Sequence, residues 1–512
     1  MQKIIVLDFG SQYTQLIARK IRELRHYAEI HPYNFPYKKL LAEKPAGIIL
    51  SGGPHSVYEK KAPTVVEELF ASGIPVLGIC YGLQLTAHLL GGKVIASEHR
   101  EYGKAALHLK KKSPLLLNVP DDQTVWMSHG DKVDKIPPGF EAVATSLSSP
   151  NCVIQNSEKN WYGVQFHPEV QHSKYGKLIL KNFCEEICQM KPSWSMKNFA
   201  KSKIQEIREL VGDHRVLLGT SGGVDSTVTA KLLHDAIGDQ LSCVYIDNGV
   251  MRLNETAAVK ERFIRTMGIP LHIVDASRRF LKELHTVTEP EQKRKIIGRL
   301  FIEEFQRKAK EIGHHEFLAQ GTLYTDVIES VSVKGPSQTI KSHHNRVAEV
   351  LKMLEAGKVI EPLKELFKDE VRRLGLALKI PREALFRHPF PGPGLAIRVL
   401  GELSAERLNL LRKADAILID ELKSTGYYAK VWQAFAVFLP VQSVGVMGDQ
   451  RTYENVIALR MVSSEDGMTA DFAKLPHEFL GRVSSRIINE VKGINRVVYD
   501  ISSKPPATIE WE

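Results

Sequence analysis

Short runs rich in Val, Ile and Leu alternate with amphipathic helical patterns over residues 1–190. The strand-like runs are "KIIVLDFG", "AGIILSGG", "IPVLGIC" and "YGVQFHPEV". Strands of this composition usually lie in a largely parallel sheet whose faces are covered by helices. The pattern therefore predicts a doubly wound α/β domain over residues 1–190.

The alternation restarts at "HRVLLGTSGGVDSTVTAKLL", where a strand over Arg215–Leu218, a glycine loop and a helix follow one another. The stretch Met190–Ile204 before it contains Pro and Ser and indicates a linker. After the Pro- and Gly-rich "HPFPGPGLAIRVLG", a helical pattern precedes several strand-like runs. We therefore predict a second doubly wound, mostly parallel-sheet domain over 191–388 and a small α+β domain over 389–512.

Composition narrows the class of protein. No apolar run approaches the roughly 20 residues of a membrane helix, and the first run leads directly into "DFGSQYTQ" without a cleavage site. Five cysteines, an odd and sparse set, argue against a disulfide framework. We expect a cytoplasmic protein without membrane association. The pair Cys184 and Cys188, four residues apart, is expected to be two buried thiols.

The net charge of +10 favours anionic partners. Nucleic acid and phosphorylated small molecules both satisfy that requirement. The basic residues are spread along the chain, and no long basic tail or aromatic–basic interleaving is present. Charge alone leaves both kinds of partner open.

A cysteine lies between two glycines in "GICYGLQ", Gly78–Gln84, where a strand-like run meets a helical one. A sharp turn of this kind forces its central residue into a strained conformation and lifts the side chain to a helix N-terminus. There the thiol is activated, and the N–H of Tyr81 is available to an oxyanion. A buried cysteine on a glycine turn is the alternative interpretation.

Two further stretches favour the reactive interpretation. "SGGP", Ser51–Pro54, ends a strand and offers backbone N–H groups. "QFHPEV" carries His167 and Glu169 two residues apart, and in an extended segment such residues point to one side. Glu169 is therefore expected to orient His167, and His167 to take the proton of the thiol.

Cys80, "SGGP" and "HPE" together resemble the class I glutamine amidotransferases. The resemblance implies that Cys80 is the nucleophile that releases ammonia from glutamine, with His167 as base and Glu169 as its orienting residue. It implies an oxyanion hole at Gly53 and Tyr81. The implied glutamine-binding residues are Gly52, Gln84, Ser128, Gly130 and Asp131.

"TSGGVDST", Thr220–Thr227, follows a strand and opens a helix, which makes a cradle of N–H groups for an anion. It lacks the Gly-Lys-Ser/Thr ending of a Walker A motif. The loop resembles that of N-type ATP pyrophosphatases, which cleave ATP between its α and β phosphates and adenylate a substrate oxygen. This resemblance implies Asp225 as a Mg²⁺ ligand and ATP binding by Ser221, Gly222, Gly223, Val224, Asp225, Ser226 and Thr227.

Across the whole chain, "LAQGT", "KSHHN", "RHPFPGPGLAIRVLGE", "VGVMGDQRTY" and "SKPPATIEWE" resemble the glutamine-hydrolysing GMP synthases. The resemblance implies conversion of xanthosine 5′-monophosphate (XMP) to GMP with glutamine, ATP and Mg²⁺. It assigns residues 1–190 to the amidotransferase, 191–388 to the ATP pyrophosphatase and 389–512 to a dimerising domain. Lys504 and Glu510 are the implied XMP ligands, and a homodimer that needs no nucleic acid is expected.

Two departures and two alternatives remain. Thr325 stands where the family commonly has proline, and Arg346–Val359 indicates a helix where the family has a Gly- and Pro-containing loop. A tRNA-modifying enzyme of the same pyrophosphatase group is one alternative, although no CxxC motif is present. A non-catalytic protein with an amidotransferase shape is the other, and the presence of Cys80, His167 and Glu169 argues against it.

Overall fold

A computed structural model describes residues 2–331, 356, 358–447, 449–464, 467 and 469–512. The chain divides into two compact units, Met1–Phe199 and Ala200–Glu512. Within the described residues, no helix is long and apolar enough to cross a membrane.

The first unit alternates strands and helices from its start. Its strands are β1 (Lys3–Asp8), β2 (Tyr27–Pro32), β3 (Gly47–Leu50), β4 (Val76–Ile79), β5 (Lys93–Leu109), β6 (Gln123–Lys135), β7 (Glu141–Thr145), β8 (Val153–Asn156) and β9 (Trp161–Val164). Its helices are α1 (Thr14–Glu23), α2 (Tyr37–Ala42), α3 (Tyr81–Leu89) and α4 (Gly176–Asn182), which continues as a π-helical turn, Phe183–Ile187. Short 3₁₀ turns occupy Glu67–Leu69 and Pro114–Leu116.

Strands of the first unit form one sheet in the order β2-β1-β3-β4-β9-β8-β7-β5-β6. From β2 to β9 every pairing is parallel, as the apolar runs predict. The central strands β3 and β4 are buried along their whole length, because helices cover both faces. From β9 to β6 the pairings are antiparallel, and this extension was not predicted.

The second unit begins its sheet at β10. Its strands are β10 (Val216–Thr220), β11 (Leu241–Asp247), β12 (Leu271–Asp275), β13 (Phe317–Ala319), β14 (Val359–Ile360), β15 (Gln433–Met447), β16 (Gln450–Ser463), β17 (Asp471–Phe472) and β18 (Ile494–Tyr499). Its helices, starting with one that crosses the division between units, are α5 (Met196–Val211), α6 (Val224–Ile237), α7 (Glu255–Lys260), α8 (Ser277–Leu284), α9 (Pro290–Ile312), α10 (Tyr324–Val331), α11 (Lys368–Ala377), α12 (Arg382–Leu385), α13 (Ala405–Ser424) and α14 (His477–Glu490). The unit also contains a π-helical turn, Glu261–Thr266, and 3₁₀ turns, Gly238–Gln240 and Gly394–Arg398.

The described strands of the second unit form two sheets. The first has the order β12-β11-β10-β13-β14 with parallel pairings throughout the described strands. The second is built on the long antiparallel hairpin β15–β16, to which β17 and β18 pair. One hydrophobic core holds Leu217 and Val244 of the first sheet together with Leu411, Phe438 and Ile457 of the later region. The predicted class, two parallel α/β folds followed by a small α+β region, is confirmed.

Two local predictions need comment. The stretch Met190–Ile204 was predicted as a linker, but α5 begins within it at Met196. Its apolar residues Phe199, Ala200 and Ile207 are buried, so an amphipathic helix outweighs the Pro and Ser residues that precede it. The helix predicted over Arg346–Val359 lies almost entirely outside the described residues, as does "KSHHN", whereas Thr325 lies in α10.

Candidate functional site

Cys80 lies at the sharp turn between β4 and α3, as the sequence predicts. Its backbone has φ 51° and ψ −102°, a conformation that residues other than glycine rarely adopt. Neighbouring glycines permit the turn, since a Cβ at Gly78 would lie 2.5 Å from the Gly82 carbonyl carbon. A Cβ at Gly82 would lie 2.2 Å from the Leu50 oxygen. The thiol therefore lies at a helix N-terminus whose backbone is tightly packed from behind.

The loop Ser51–Gly53 packs against this turn. The Ser51 carbonyl accepts a hydrogen bond from the N–H of Gly82 at 3.1 Å. A Cβ built at Gly53 would lie 3.3 Å from the ring of Tyr81, and one at Gly52 would lie 3.0 Å from His167 Cε1. The structure thus brings the two predicted oxyanion residues, Gly53 and Tyr81, together beside the predicted base.

His167 and Glu169 are in contact, but not for the predicted reason. Strand β9 ends at Val164, and residues 165–170 form bends and turns where an extended segment was expected. The turn still brings His167 Nδ1 to 2.7 Å from Glu169 Oε1, and both side chains are at most 4% exposed. The Ser173 hydroxyl donates to the His167 carbonyl at 2.6 Å and fixes the turn.

The protonation of His167 follows from these contacts. Burial alone would lower its pKa, but the charge of Glu169 and the hydrogen bonds to Cys80 and Glu169 raise the pKa well above its ordinary value. Because Nδ1 faces a carboxylate, that nitrogen carries a proton and Nε2 is the atom that faces the thiol. The arrangement is a hydrogen-bonded chain of thiol, imidazole and carboxylate.

The residues predicted to bind glutamine border the thiol. Cys80 Sγ lies 3.7 Å from the Ser128 carbonyl oxygen. The side chain of Gln84, one turn along α3, donates to the Asp131 carbonyl at 2.9 Å. Gly130 lies between Ser128 and Asp131 in the sequence, and apart from its chain neighbours no atom of the described residues would lie within 4 Å of a Cβ there. The described residues therefore leave open space at Gly130.

Sequence reasoning missed two side chains of this site. Gln165 approaches Cys80, with Nε2 3.8 Å from Sγ, and Tyr58 donates its hydroxyl to Asp131 Oδ1 at 3.0 Å. Gln165 lies in "QFHPEV", two residues before His167, and this closeness in the sequence could have indicated a place in the site. Tyr58 lies in a loop without such a signal.

The second predicted site is the loop between β10 and α6. Gly222 has φ 70°, and a Cβ there would lie 2.4 Å from the side chain of Val259, so glycine is required. Two guanidinium groups hold its carbonyl oxygen, with Arg262 at 2.8 Å and Arg387 at 3.3 Å. These positive charges and the N-terminus of α6 make the loop suited to an anion.

A cavity of about 1060 Å³ opens in front of this loop. Its walls include Tyr245 and Asn248 at the end of β11 and the segment Arg387–Pro393. The five predicted ATP-binding residues that line it are Ser221, Gly222, Gly223, Val224 and Asp225. The Ser226 hydroxyl instead accepts from Thr220 at 3.1 Å and donates to the Gly223 carbonyl, while Thr227 is fully buried.

Asp225, the predicted Mg²⁺ ligand, is paired with a lysine that sequence reasoning did not single out. Lys368 Nζ lies 2.6 and 2.5 Å from the two carboxylate oxygens. Within the described residues, the one cluster of three possible metal ligands is Glu29, His31 and Glu43, where the Lys3 ammonium already lies 3.2 and 2.7 Å from the two glutamates. Asp225 is therefore not part of a cluster of three possible metal ligands among the described residues.

Neither predicted XMP ligand is among the described residues that line this cavity. Lys504 Nζ donates to the Gly467 carbonyl at 2.8 Å. Glu510 accepts two hydrogen bonds from Arg398, at 3.0 and 2.8 Å, and one from Gln433 at 2.8 Å. The Arg398 guanidinium lies over the ring of Phe390, a residue of the cavity wall, and so connects Glu510 to the cavity.

Three family models match the chain. "Glutamine amidotransferase class-I" matches residues 5–187, and "NAD synthase" matches residues 195–296. "GMP synthase C terminal domain" matches residues 420–511. Together these matches cover the surroundings of Cys80, the loop Ser221–Thr227 and residues 420–511 of the C-terminal region.

Curated relatives match the chain over its full length. A protein named "GMP synthase [glutamine-hydrolyzing]" from Nitratiruptor sp. is 57% identical over 99% of this chain and 99% of its own. One of the same name from Chlorobium chlorochromatii is 58% identical over 100% of both chains. Among solved structures, a glutamine amidotransferase from Thermotoga maritima is 20% identical and covers 37% of this chain and 99% of its own, with a TM-score of 0.32.

Proposed function

This chain belongs to the family of glutamine-hydrolysing GMP synthases, and from that premise we propose that it aminates XMP to GMP with ammonia from glutamine. The reaction has two parts, the release of ammonia and the activation and amination of the nucleotide. We assign the first to the surroundings of Cys80 and the second to the cavity beside the loop at Ser221–Asp225.

In the first part, the Cys80 sulfur attacks the side-chain amide carbon of glutamine. The thiol proton passes to Nε2 of His167 and then to the leaving nitrogen, so ammonia departs and a thioester remains. Water, deprotonated by the same imidazole, cleaves the thioester to glutamate. Glu169 holds the imidazole in place, and its 2.7 Å contact with Nδ1 supports that assignment.

The negative charge that develops on the amide oxygen needs donors. We assign these to the backbone N–H groups of Gly53 and Tyr81, whose close packing supports the pairing. Gly52, Gln84, Ser128, Gly130 and Asp131 are assigned to the remainder of the glutamine. The space that the described residues leave at Gly130 supports a ligand in this position.

In the second part, the C2 oxygen of XMP attacks the α phosphorus of ATP and pyrophosphate leaves. Ammonia then adds to C2, and AMP departs with the oxygen, which yields GMP. The loop Ser221–Thr227 is assigned to the phosphates. The guanidinium groups of Arg262 and Arg387 on its carbonyl support this assignment, because they place positive charge beside the loop, although Arg387 also pairs with Glu255 at 2.6 Å.

The donor set at Asp225 fits a magnesium ion that arrives with ATP. Mg²⁺ is commonly held by one or two carboxylates together with substrate phosphates, and the carboxylate of Asp225 lies at the cavity wall. The ion supplies neutralisation of phosphate charge. Lys368 must release Asp225 in that state, and its ammonium is then free to bind a phosphate oxygen.

Lys504 and Glu510 are assigned to XMP as the family resemblance implies, and Arg398 is assigned to holding Glu510.

A homodimer is proposed through residues 389–512. On the hairpin β15–β16, Val444 pairs with Tyr453 and lies on one face with Val446, and the three are 44–76% exposed. This apolar stripe supports self-association, and we expect Val446→Asp to lower the mass measured by light scattering. Phosphorylated substrates support the expected cytoplasmic location.

The observation that carries the proposal is the buried chain Cys80–His167–Glu169 in a protein that matches GMP synthases over its full length. The test is an assay with XMP, ATP and glutamine that follows AMP and GMP. We expect Cys80→Ala to lose glutamine-dependent GMP formation and to keep the activity with added ammonium salt.

The buried thiol of Cys243 provides a matched control. Cys243→Ala changes a cysteine of β11 that is fully buried, and it should retain glutamine-dependent activity. If a folded Cys80→Ala protein also loses the ammonia-dependent reaction, the division into two sites is wrong.

A further inference from the structure

The side chains of Glu101 and His129 are in contact inside the antiparallel hairpin of the first unit. The two residues are register partners on β5 and β6. His129 Nε2 lies 3.2 Å from Glu101 Oε2, and the side chains are 2% and 15% exposed. A cross-strand pair this well buried fixes the two strands against each other more strongly than a surface pair does.

A bulge places Glu101 at this position. Ala96 pairs with Asp131 and Glu101 with His129, so four residues of β5, 97–100, lie opposite Gly130 alone. Bulges of this kind redirect a side chain at a functional edge of a sheet. Without the extra residues, Glu101 would not face the strand segment Ser128–Asp131.

Both nitrogens of the His129 ring lie near oxygen atoms. Its Nδ1 lies 3.0 Å from the Asp131 carbonyl oxygen, and its Nε2 lies 3.2 Å from Glu101 Oε2. The ring therefore lies between the backbone of the segment Ser128–Asp131 and the carboxylate of Glu101.

The surroundings of Glu101 favour its ionised form. Burial would raise its pKa, but the contacts with His129, Ser148 and Ser146 hold the pKa below its ordinary value. The hydroxyl of Ser149 also donates to it at 3.4 Å. The carboxylate therefore stays ionised although most of the side chain is buried.

The Asp131 carbonyl connects this pair to the thiol. It accepts from His129 Nδ1 at 3.0 Å and from Gln84 Nε2 at 2.9 Å. Gln84 lies on α3, one turn beyond Cys80, and the Ser128 carbonyl lies 3.7 Å from the Cys80 sulfur. The segment Ser128–Asp131 is thus held between the nucleophile helix on one side and Glu101 on the other.

We propose that Glu101 and His129 are positioning residues of the glutamine site, which hold the segment Ser128–Asp131 at the distance from Cys80 that glutamine binding requires. This inference rests on the proposed glutaminase function. Neither side chain touches the substrate, since each acts through the backbone of that segment. Loss of the pair should therefore impair glutamine binding more than the chemistry at the thiol.

The test compares wild type with Glu101→Gln, which keeps the size of the side chain and removes its charge. We expect kcat/KM for glutamine hydrolysis to fall about 10- to 100-fold, mainly through KM, because a misplacement of about 1 Å costs up to roughly 10² in rate. GMP formation from added ammonium salt should remain within about twofold of wild type. Glu101 lies in the first unit, and the ammonia-dependent reaction is assigned to the cavity of the second unit. An unchanged KM for glutamine in a folded Glu101→Gln protein overturns the inference.

A second buried His–Glu pair supplies the matched control. His26 Nε2 lies 3.1 Å from Glu185 Oε1, with side chains 0% and 26% exposed, and His26 precedes β2. The pair therefore lies at the amino ends of the parallel strands, whereas Cys80 follows the carboxyl end of β4. Glu185→Gln should therefore leave KM for glutamine unchanged. If KM rises equally in Glu101→Gln and Glu185→Gln, the rise reflects a general loss of stability and the inference is overturned.

The coupling of the two residues is tested with His129→Gln and the double variant. If the residues act as one unit, the double variant loses no more than the larger single loss, whereas independent roles give losses that multiply. Should Glu101→Gln fail to fold, Ser149→Ala removes only one contact of the carboxylate, and a rise of about twofold in KM is expected. An unchanged KM there overturns the inference. Absence of glutamine hydrolysis in wild type would instead remove the proposed function and this inference with it.

Discussion

Lys368 binds the carboxylate of Asp225 through both oxygen atoms, at 2.6 and 2.5 Å. The pair joins the first turn of α6 to the first residue of α11 at the wall of the cavity. The ammonium therefore stands beside the loop that we assign to the phosphates of ATP. We expect it to exchange the carboxylate for a phosphate oxygen when the nucleotide binds.

Lys368→Gln should raise KM for ATP about 10- to 100-fold, because a hydrogen bond to a charged group contributes about 1.5–3 kcal/mol. The measurement is AMP release at varied ATP with ammonium salt as the nitrogen source. Arg373→Gln on the same helix removes an exposed i,i+4 pair with Asp369 and should leave KM unchanged. An ordinary KM in Lys368→Gln would show that the lysine only pairs with Asp225.

Substitution by alanine should have different effects at Gly130 and at Gly82: it should change glutamine binding at the first and stability at the second. Apart from the chain neighbours of Gly130, a Cβ there meets no atom of the described residues within 4 Å, so Gly130→Ala should fold normally. Its methyl group enters the space assigned to glutamine, and an added carbon in a binding site costs about 10- to 200-fold. KM for glutamine should therefore rise in steady-state glutaminase assays.

Gly82→Ala places its Cβ 2.2 Å from the Leu50 oxygen and should lower the free energy of unfolding by at least about 1–3 kcal/mol. Thermal unfolding of both variants separates the two effects. A Gly130→Ala protein with wild-type KM would exclude this part of the glutamine site.

His388 should make the second unit sensitive to acid. Burial lowers its pKa to about 4 from an ordinary value of 6.5. The ring stacks on Tyr428 at 3.8 Å and hydrogen-bonds its backbone at 2.8 Å. Above pH 6.5 neither the folded nor the unfolded state is protonated here. As the pH falls from 6.5 towards 4, the unfolded state gains the proton and the folded state does not, so stability is lost.

At pH 5 the expected loss is about 2 kcal/mol relative to pH 7. Urea unfolding of wild type and His388→Gln at both pH values measures it, since the carboxylates titrate in both proteins. The transition of residues 200–512 is identified as the one that added ATP shifts. Equal losses in the two proteins would contradict the assignment to His388.

Local geometry at Cys80 could be predicted because it depends on neighbours in the sequence. Gly78 and Gly82 are required by the turn itself, and the sequence contains them at the necessary spacing. The contact of His167 with Glu169 was predicted on the premise of an extended segment, yet it forms in a turn. The contact was predicted correctly because the two residues are close in the chain, although the predicted backbone conformation was wrong.

Contacts between distant parts of the chain could not be predicted in this way. The bulge at residues 97–100 sets Glu101 opposite His129, and a register of this kind depends on how the whole hairpin pairs. Lys368 and Asp225 are 143 residues apart, and only the packing of α11 beside α6 brings them together. The antiparallel strands β5 to β8 were missed for the same reason.

The C-terminal segment is fixed by a buried lysine, Lys293 of α9. Its Nζ donates to the carbonyls of Ala396 and Val399, at 3.1 and 2.8 Å, and to Glu512 Oε2 at 2.7 Å. The lysine side chain is 0% exposed and that of Glu512 is 9% exposed. Burial lowers the pKa of Lys293, and Glu512 partly offsets that effect.

Glu512→Ala leaves the buried ammonium without its counterion and should lower the free energy of unfolding by about 3–5 kcal/mol. Lys293→Met combined with Glu512→Ala should recover much of that loss, because an apolar side chain replaces the pair at little net cost. The midpoint of urea unfolding for residues 200–512 measures both. Glu291→Ala, which removes a 62% exposed partner of Arg294 on the same helix, should cost less than about 1 kcal/mol. The contrary result is a double variant whose loss in free energy of unfolding equals the sum of the losses in Glu512→Ala and Lys293→Met. The two side chains would then not be coupled, and Lys293 would be held by the carbonyl groups alone.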